Sequence, residues 1–183
     1  MKIIDTPIAD LKLVESVPFL DERGMFVRLF CAGELQPLLG HRKVEQINFS
    51  RTTNPGTVRG MHFQHPPHAE MKLVRCLRGR VWDVAVDLRA GSPTFLQWFA
   101  TDLAQDDARM LVIPEGFAHG VQALEPNSEL VYLVTAAYNS EFEDGLRPDD
   151  PRLAIDWQLK PEHLSQRDMN HPLLDSSYSG MTI

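Results

Sequence analysis

The chain has 183 residues, 43% of them apolar and 23% charged, and a formal charge of −7. That length sustains one domain, spanning residues 1–183, that buries roughly 70% of the surface its unfolded form exposes, and the composition excludes a disordered or collagen-like chain. The acidic balance argues against a nucleic-acid binder, which needs a basic surface to release phosphate counterions, but a local cluster of basic residues still leaves room for a small anionic ligand.

At the N-terminus, Asp5 interrupts the apolar residues before they reach the length of a signal-peptide core. No later stretch approaches the ~20 apolar residues of a spanning helix, so the expectation is a soluble cytoplasmic protein with no membrane partner. Leu11–Val14 has strand composition, Asp21–Gly24 reads as a turn, and Met25–Phe30 as a strand. Residues 32–39 predict a short helix ending at Gly40, where glycine suits a left-handed cap. Cys31 and Cys76 lack CxxC spacing and read as small buried hydrophobes.

Val44–Arg51 alternates, placing Gln46, Asn48 and Ser50 on one face and Ile47 and Phe49 on the other. A polar face of this kind ordinarily meets solvent. Asn54–Gly56 is a turn, and Leu73–Leu77, Arg78–Arg80 and Val81–Leu88 together read as a hairpin. Gly91–Pro93 predicts another turn, Thr94–Thr101 and Met110–Ile113 two more strands, and Glu129–Tyr138 a strand that puts Tyr132 and Tyr138 on one face. From Asn139 onward the chain is loop-like, with a short helix expected within Lys160–Asp168. Many short strands and few helices indicate a mainly β fold, an antiparallel barrel or double-sheet jelly roll enclosing a pocket.

The chemistry concentrates in Arg59–Lys72, RGMHFQHPPHAEMK, where His62 and Gln64 project together from a strand. His62-x-Gln64-(x5)-Glu70 followed by Pro114-x-Gly116-x2-His119 resembles the two cupin signatures, in which His, His, Glu and His commonly hold one metal. Gln64 replaces the second histidine, and its neutral amide is a poorer transition-metal ligand than imidazole. A pocket histidine without a metal is a natural general base near neutral pH. It needs a carboxylate on its other nitrogen, and Asp83, Asp87, Glu143 and Asp168 are all candidates by composition. His65 and His68 flank Pro66-Pro67 and read as loop residues.

Asp21-x-Arg23-Gly24-x-Phe26, Gln46-x-Asn48-x-Ser50, Arg59-Gly60-x-His62-x-Gln64, Lys72-Leu73-Val74, Asp83–Thr94, Pro114–Gly120 and Ser165-x-x-Asp168 together resemble the dTDP-4-dehydrorhamnose 3,5-epimerases, over roughly residues 5 to 175. The resemblance implies a cupin-type jelly roll and a cofactor-independent isomerase with no metal. Such an enzyme inverts C3 and C5 of dTDP-4-dehydro-6-deoxy-D-glucose, a small-molecule nucleotide sugar. It implies His62 as the base, Asp168 as its orienting carboxylate, Lys72 beside the developing enolate, and Tyr132 as the proton donor on the opposite face. It assigns Arg23 and Arg59 to the diphosphate, Gln46, Asn48, His119 and Glu143 to the nucleotide-sugar site, and Tyr138 to stacking on thymine. Arg23 is expected to reach across a homodimer formed by exchanged N-terminal strands.

The chain departs from the family pattern at several positions. Arg28 stands where a glutamate is usual, and Arg167 where a lysine is usual beside the catalytic aspartate. Pro148 and Val121 stand where larger aromatic residues are frequent. Single-centre epimerases of other 4-keto sugars, a metal-dependent cupin enzyme using His62, Glu70 and His119, and a non-catalytic nucleotide-sugar binder are the competing expectations.

Overall fold

The computed structural model describes residues 1–183. After β1 (Lys2–Asp5) and β2 (Lys12–Glu15) come a short hairpin, β3 (Phe19–Asp21) and β4 (Gly24–Phe26), and helix α1 (Ala32–Leu39), which ends at Gly40 as expected. The remaining large strands follow as β5 (Gln46–Thr52), β6 (Val58–Gln64), β7 (Lys72–Arg78), β8 (Arg80–Asp87), β9 (Trp98–Ala104), β10 (Arg109–Ile113), β11 (Phe117–Ala123) and β12 (Ser128–Val134). Strand β13 (Glu143–Gly145) and helix α2 (Gln166–Asn170) complete the set.

Antiparallel pairing sorts the strands into two sheets, β1-β2-β10-β7-β12-β5 and β13-β6-β11-β8-β9, with β3-β4 as a separate ribbon. Period-two alternation decides what each sheet buries. Along β7, Val74 and Cys76 join the core between the sheets, where they meet Val81, Ala85, Leu111 and Phe117. Leu73, which precedes Val74 and so faces the other way, packs instead with Leu35 and Leu39 of α1 on the outer side of the six-stranded sheet. The outer side of the five-stranded sheet, with Met61, Val84 and Ala118, is covered by the C-terminal segment through Leu146, Leu153 and Met181. Each such fully buried aliphatic side chain contributes roughly 1.5–3 kcal/mol, so both covers are held by the same effect that closes the barrel.

Four local expectations change in the fold. Strands β7 and β8 do not form a hairpin: β7 pairs with β10 and β12, and β8 with β9 and β11, so the turn at Gly79 carries the chain from one sheet to the other. Both neighbours of β7 are taken by distant strands, which local turn chemistry cannot reveal. The polar face of β5 points inward, with Gln46, Asn48 and Ser50 half-buried, while Ile47 and Phe49 are 66% and 57% exposed. Strand β12 ends at Val134, so Tyr138 lies beyond it rather than on the Tyr132 face. The strands expected at 25–30 and 94–101 form only at Gly24–Phe26 and Trp98–Ala104.

One close approach sets the geometry of the pocket. Gly60 in β6 has φ +122°, and a Cβ built there would lie 2.5 Å from the Gly120 Cα and 2.7 Å from the His119 carbonyl oxygen. The two strands therefore touch backbone to backbone, in the register that sets His62 opposite His119. Gly60→Ala is expected to destabilise the fold by at least about 1–3 kcal/mol, the cost of a strained φ alone, with the contact clash added. Urea denaturation checks the stability, and loss of native-like histidine resonances would show that β6 and β11 have moved apart.

Candidate active site

Between the mouths of the two sheets lies a cavity of about 350 Å³. The five-stranded sheet supplies Arg59 and His62 from β6 and His119 from β11, and the six-stranded sheet supplies Lys72 from β7 and Tyr132 from β12. The segment around α2 closes one side with Ser165, Arg167 and Asp168. Below these polar residues the barrel interior is apolar, because the next inward positions on β7 and β12 are Val74 and Leu130.

Of the four carboxylates that could orient His62, the fold selects Asp168. Its Oδ1 lies 2.8 Å from His62 Nε2, and the residue is only 4% exposed. Asp168 is placed by a capped helix: Ser165 is the N-cap of α2, and its Oγ accepts the Asp168 N–H at 3.0 Å. Burial pushes the Asp168 carboxyl up, but its hydrogen bond and charge interaction with His62, helped by Ser165 and the Gly60 N–H, hold it below the ordinary carboxylate value. An ionised Asp168 accepts the proton of Nε2, which leaves the Nδ1 lone pair as the basic site.

The other three carboxylates have different partners. Asp83, fully buried, has both oxygens 3.1 Å from His119 Nε2. Asp87 accepts from Arg89, Ser92 and Thr94. Glu143 accepts the Tyr138 hydroxyl at 2.6 Å and lies 2.7 Å from Arg167. Burial raises the Glu143 carboxyl, yet these two hydrogen bonds outweigh it and keep the group below its ordinary value. The Tyr138 N–H donates to Gln46 Oε1, so Gln46, Tyr138, Glu143 and Arg167 form one cluster.

The remaining expected residues divide cleanly. Lys72, 8% exposed, donates to the His62 carbonyl oxygen at 3.2 Å and lies 3.2 Å from Glu70. Arg59 is steadied by Thr52, whose hydroxyl accepts its Nε at 3.0 Å. Asn48 stands opposite Tyr132 in the β5–β12 register. Burial pushes the Tyr132 phenol up, Glu70 adds to the shift and Arg59 opposes it. Arg23 alone lies apart, on the β3–β4 ribbon, where its Nε donates to Asp21.

A sequence model for dTDP-4-dehydrorhamnose 3,5-epimerase matches residues 5–176. A dTDP-4-dehydrorhamnose 3,5-epimerase of Shigella flexneri is 41% identical over 181 residues, which is 97% of this chain and 99% of that protein. The chain belongs to the dTDP-4-dehydrorhamnose 3,5-epimerase family. The fold agrees with solved members of its structural class. The dTDP-6-deoxy-D-glucose-3,5-epimerase of Legionella pneumophila, in complex with dTDP-4-keto-L-rhamnose, superposes with a TM-score of 0.91 at 40% identity, covering 100% of this chain and 98% of that one. A 3'-monoepimerase from Streptomyces bikiniensis, in complex with dTDP-quinovose, superposes with a TM-score of 0.86 at 31% identity, covering 92% and 85%. As a family member this protein is an epimerase, and its double-sheet architecture is the cupin-type jelly roll.

The cupin metal positions do not fit a metal ion in this epimerase. Gln64 Nε2 donates to the His68 carbonyl and to Glu70, while its Oε1 accepts the Asn139 N–H at 2.7 Å. Glu70 in turn faces the Lys72 ammonium, and no group of three or more His, Cys, Asp or Glu side chains is arranged to hold an ion. The loop histidines tie down the neighbouring segment: His65 meets Asp144 at 3.1 Å, and His68 meets Asn139 at 3.2 Å. Of the departures, Arg28 pairs with Glu34 at the surface, Arg167 takes its place at Glu143, and the Pro148 carbonyl accepts the Trp157 indole N–H. His163 also lines the cavity, and nothing in its sequence surroundings announced it. No helix is long and apolar enough to cross a membrane.

Asp168→Asn is expected to lower activity by roughly 10²–10⁴-fold, since the imidazole loses the group that fixes its tautomer. Stability follows the same carboxylate. Because the folded-state value is depressed, the stabilisation is present above the unfolded value of about 3.9 and is lost as pH falls through the folded one. Thermal melts of wild type and Asp168→Asn should differ at neutral pH and converge on acidification; a gap independent of pH would contradict this account.

Proposed function

We propose that this protein converts dTDP-4-dehydro-6-deoxy-D-glucose into dTDP-4-dehydro-L-rhamnose by inverting C3 and C5 without a cofactor. The observation that carries the proposal is the placement of His62 and Tyr132 on opposite sheets of one cavity. Inversion needs removal of a proton from one face and delivery from the other; a single group working alone mostly restores the starting centre. C3 and C5 both flank the C4 ketone, so one enolate-stabilising charge serves both abstractions. The Lys72 ammonium, buried in the same cavity, is suited to that role because a preorganised charge there is worth several kcal/mol.

In this scheme the His62 Nδ1 takes the proton, Asp168 stabilises the resulting imidazolium, and Tyr132 gives a proton from the far wall. Arg59 binds the diphosphate, with Gln46, Asn48, His119, Glu143 and Arg167 around the nucleotide sugar. The Tyr138 ring, 57% exposed with its hydroxyl held by Glu143, is free to stack on thymine. Two free cysteines are in keeping with the cytoplasm. The second reading, inversion at one carbon only, is favoured by the similarity to a 3'-monoepimerase.

Solvent deuterium distinguishes the two. Wild type in D₂O without added metal is expected to label both C3 and C5 of the 4-keto sugar nucleotide, and labelling of one carbon would select the second reading. His62→Ala should lose most exchange, by roughly 10²–10⁴-fold for a general base. Tyr132→Phe should keep exchange and lose inversion, an uncoupling that NMR detects directly.

The assembly we propose is a homodimer. Every residue of the β3–β4 ribbon is exposed, and the ribbon joins neither sheet. An isolated two-stranded hairpin is marginal in water. Phe19 and Phe26 on it are 71% and 67% exposed, and Ile47 and Phe49 point outward from β5. A second copy covering this face would shelter these side chains and bring Arg23 to the partner's cavity. Sedimentation should give twice the chain mass, and a Phe19→Asp, Phe26→Asp variant should sediment as a monomer; a monomeric wild type would refute the assembly.

A further inference from the structure

Glu70 lies outside every role assigned above, yet it occupies the junction between the two catalytic walls. Its side chain is only 11% exposed. One oxygen lies 3.2 Å from the Lys72 ammonium and the other accepts the Gln64 amide at 3.2 Å. Lys72 reaches on to the His62 carbonyl oxygen. Glu70 and Lys72 belong to the entry of β7 in one sheet, and His62 and Gln64 to β6 in the other. The four residues therefore clamp the strand that carries the base to the strand beside Tyr132, which pairs with β7 at Val74.

A buried ion pair contributes little net stability, because desolvation offsets the attraction, and apolar residues of the same volume serve a core as well or better. An ion pair at this junction must be valued for what it does to the groups around it. We infer that Glu70 is a positioning residue of the epimerase: it holds Lys72 against the His62 main chain, at the junction beside the strand that carries Tyr132. The inference rests on the proposed roles of His62, Lys72 and Tyr132.

The electrostatics agree with the geometry. After burial, Glu70 is the largest influence raising the Tyr132 phenol, with Glu143 adding and Arg59 opposing. The other charged or titratable groups lining the cavity are His62 on β6, Lys72 on β7, His119 on β11, and His163, Arg167 and Asp168 around α2. Among the groups that act on Tyr132, Glu70 is the one that also grips Lys72, so a single carboxylate governs the proton donor and the enolate-side cation together.

The test is Glu70→Gln, which keeps the shape and the acceptor for Gln64 but removes the charge. Near neutral pH the exchange rate should fall by only about threefold. On the alkaline shoulder the rate of inversion should fall roughly tenfold below wild type while exchange persists, because a phenol without its anionic neighbour ionises at lower pH and can no longer give a proton. Tyrosine labelled with ¹³C at Cζ gives three resonances, one for each of the three tyrosines, assignable with Tyr132→Phe. The Tyr132 signal should titrate at lower pH in Glu70→Gln and return toward wild type in Glu70→Asp.

Superimposable pH profiles and an unmoved Tyr132 titration would overturn the inference. The NMR titration needs no turnover, so it stands even if the substrate assignment fails. Absence of exchange in wild type would overturn that assignment instead.

Discussion

The hydrogen bond between Asp168 and His62 joins two residues 106 positions apart and ties the C-terminal segment to the barrel wall. Helix α2 has five residues and could not persist on its own. It is held by its Ser165 cap, by the Asp168 carboxylate on His62, and by the apolar cover that the rest of the segment lays over the five-stranded sheet. Upstream, Gln122 from β11 exchanges two hydrogen bonds with the main chain of Leu159. The cost of burying the Asp168 carboxylate is offset by its hydrogen bond to His62, the group proposed above as the base. Cover and chemistry are therefore the same contact seen from two sides.

The two-sheet architecture does the rest. A jelly roll presents two facing walls at its open end, and alternation puts every second residue of each strand on the inside. Here the walls carry unlike groups, an Asp-supported histidine on one and a half-buried phenol beside a buried ammonium on the other. A protein with a net charge of −7 still presents a locally cationic cavity, because Arg59, Lys72 and Arg167 all line it. Lys72 is held there by Glu70 and the His62 carbonyl.

Much of this was legible from residue order alone. The helix at 32–39, its Gly40 stop, the period-two strands and the paired His62-x-Gln64 are local features, and they form as their neighbours dictate. The metal alternative also weakened on one residue, since Gln64 is a poor ligand, and the fold shows its amide fully engaged by His68, Glu70 and Asn139. Other features could not be read locally. The alternation of β5 is equally compatible with its polar face pointing out or in. The pairing with β12 decides it: Asn48 sits opposite the cavity residue Tyr132, and Ile47 and Phe49 are left exposed on the outer side of the six-stranded sheet. The Gly79 turn looks like a hairpin turn because a corner between sheets uses the same residues.

By itself, then, the sequence determined the strand-rich class, the inward pairing of residues two apart, and the set of groups able to carry proton chemistry, all of which depend on spacing along a short piece of chain. Only the tertiary structure decided which of four carboxylates meets His62, that Asp83 serves His119 instead, and that the histidine and the tyrosine face each other across a gap. It also decided that Tyr138 leaves the Tyr132 face to meet Glu143. Those choices depend on which strands become neighbours, and neighbourhood in a jelly roll is set by the burial of distant apolar faces rather than by any spacing within one segment.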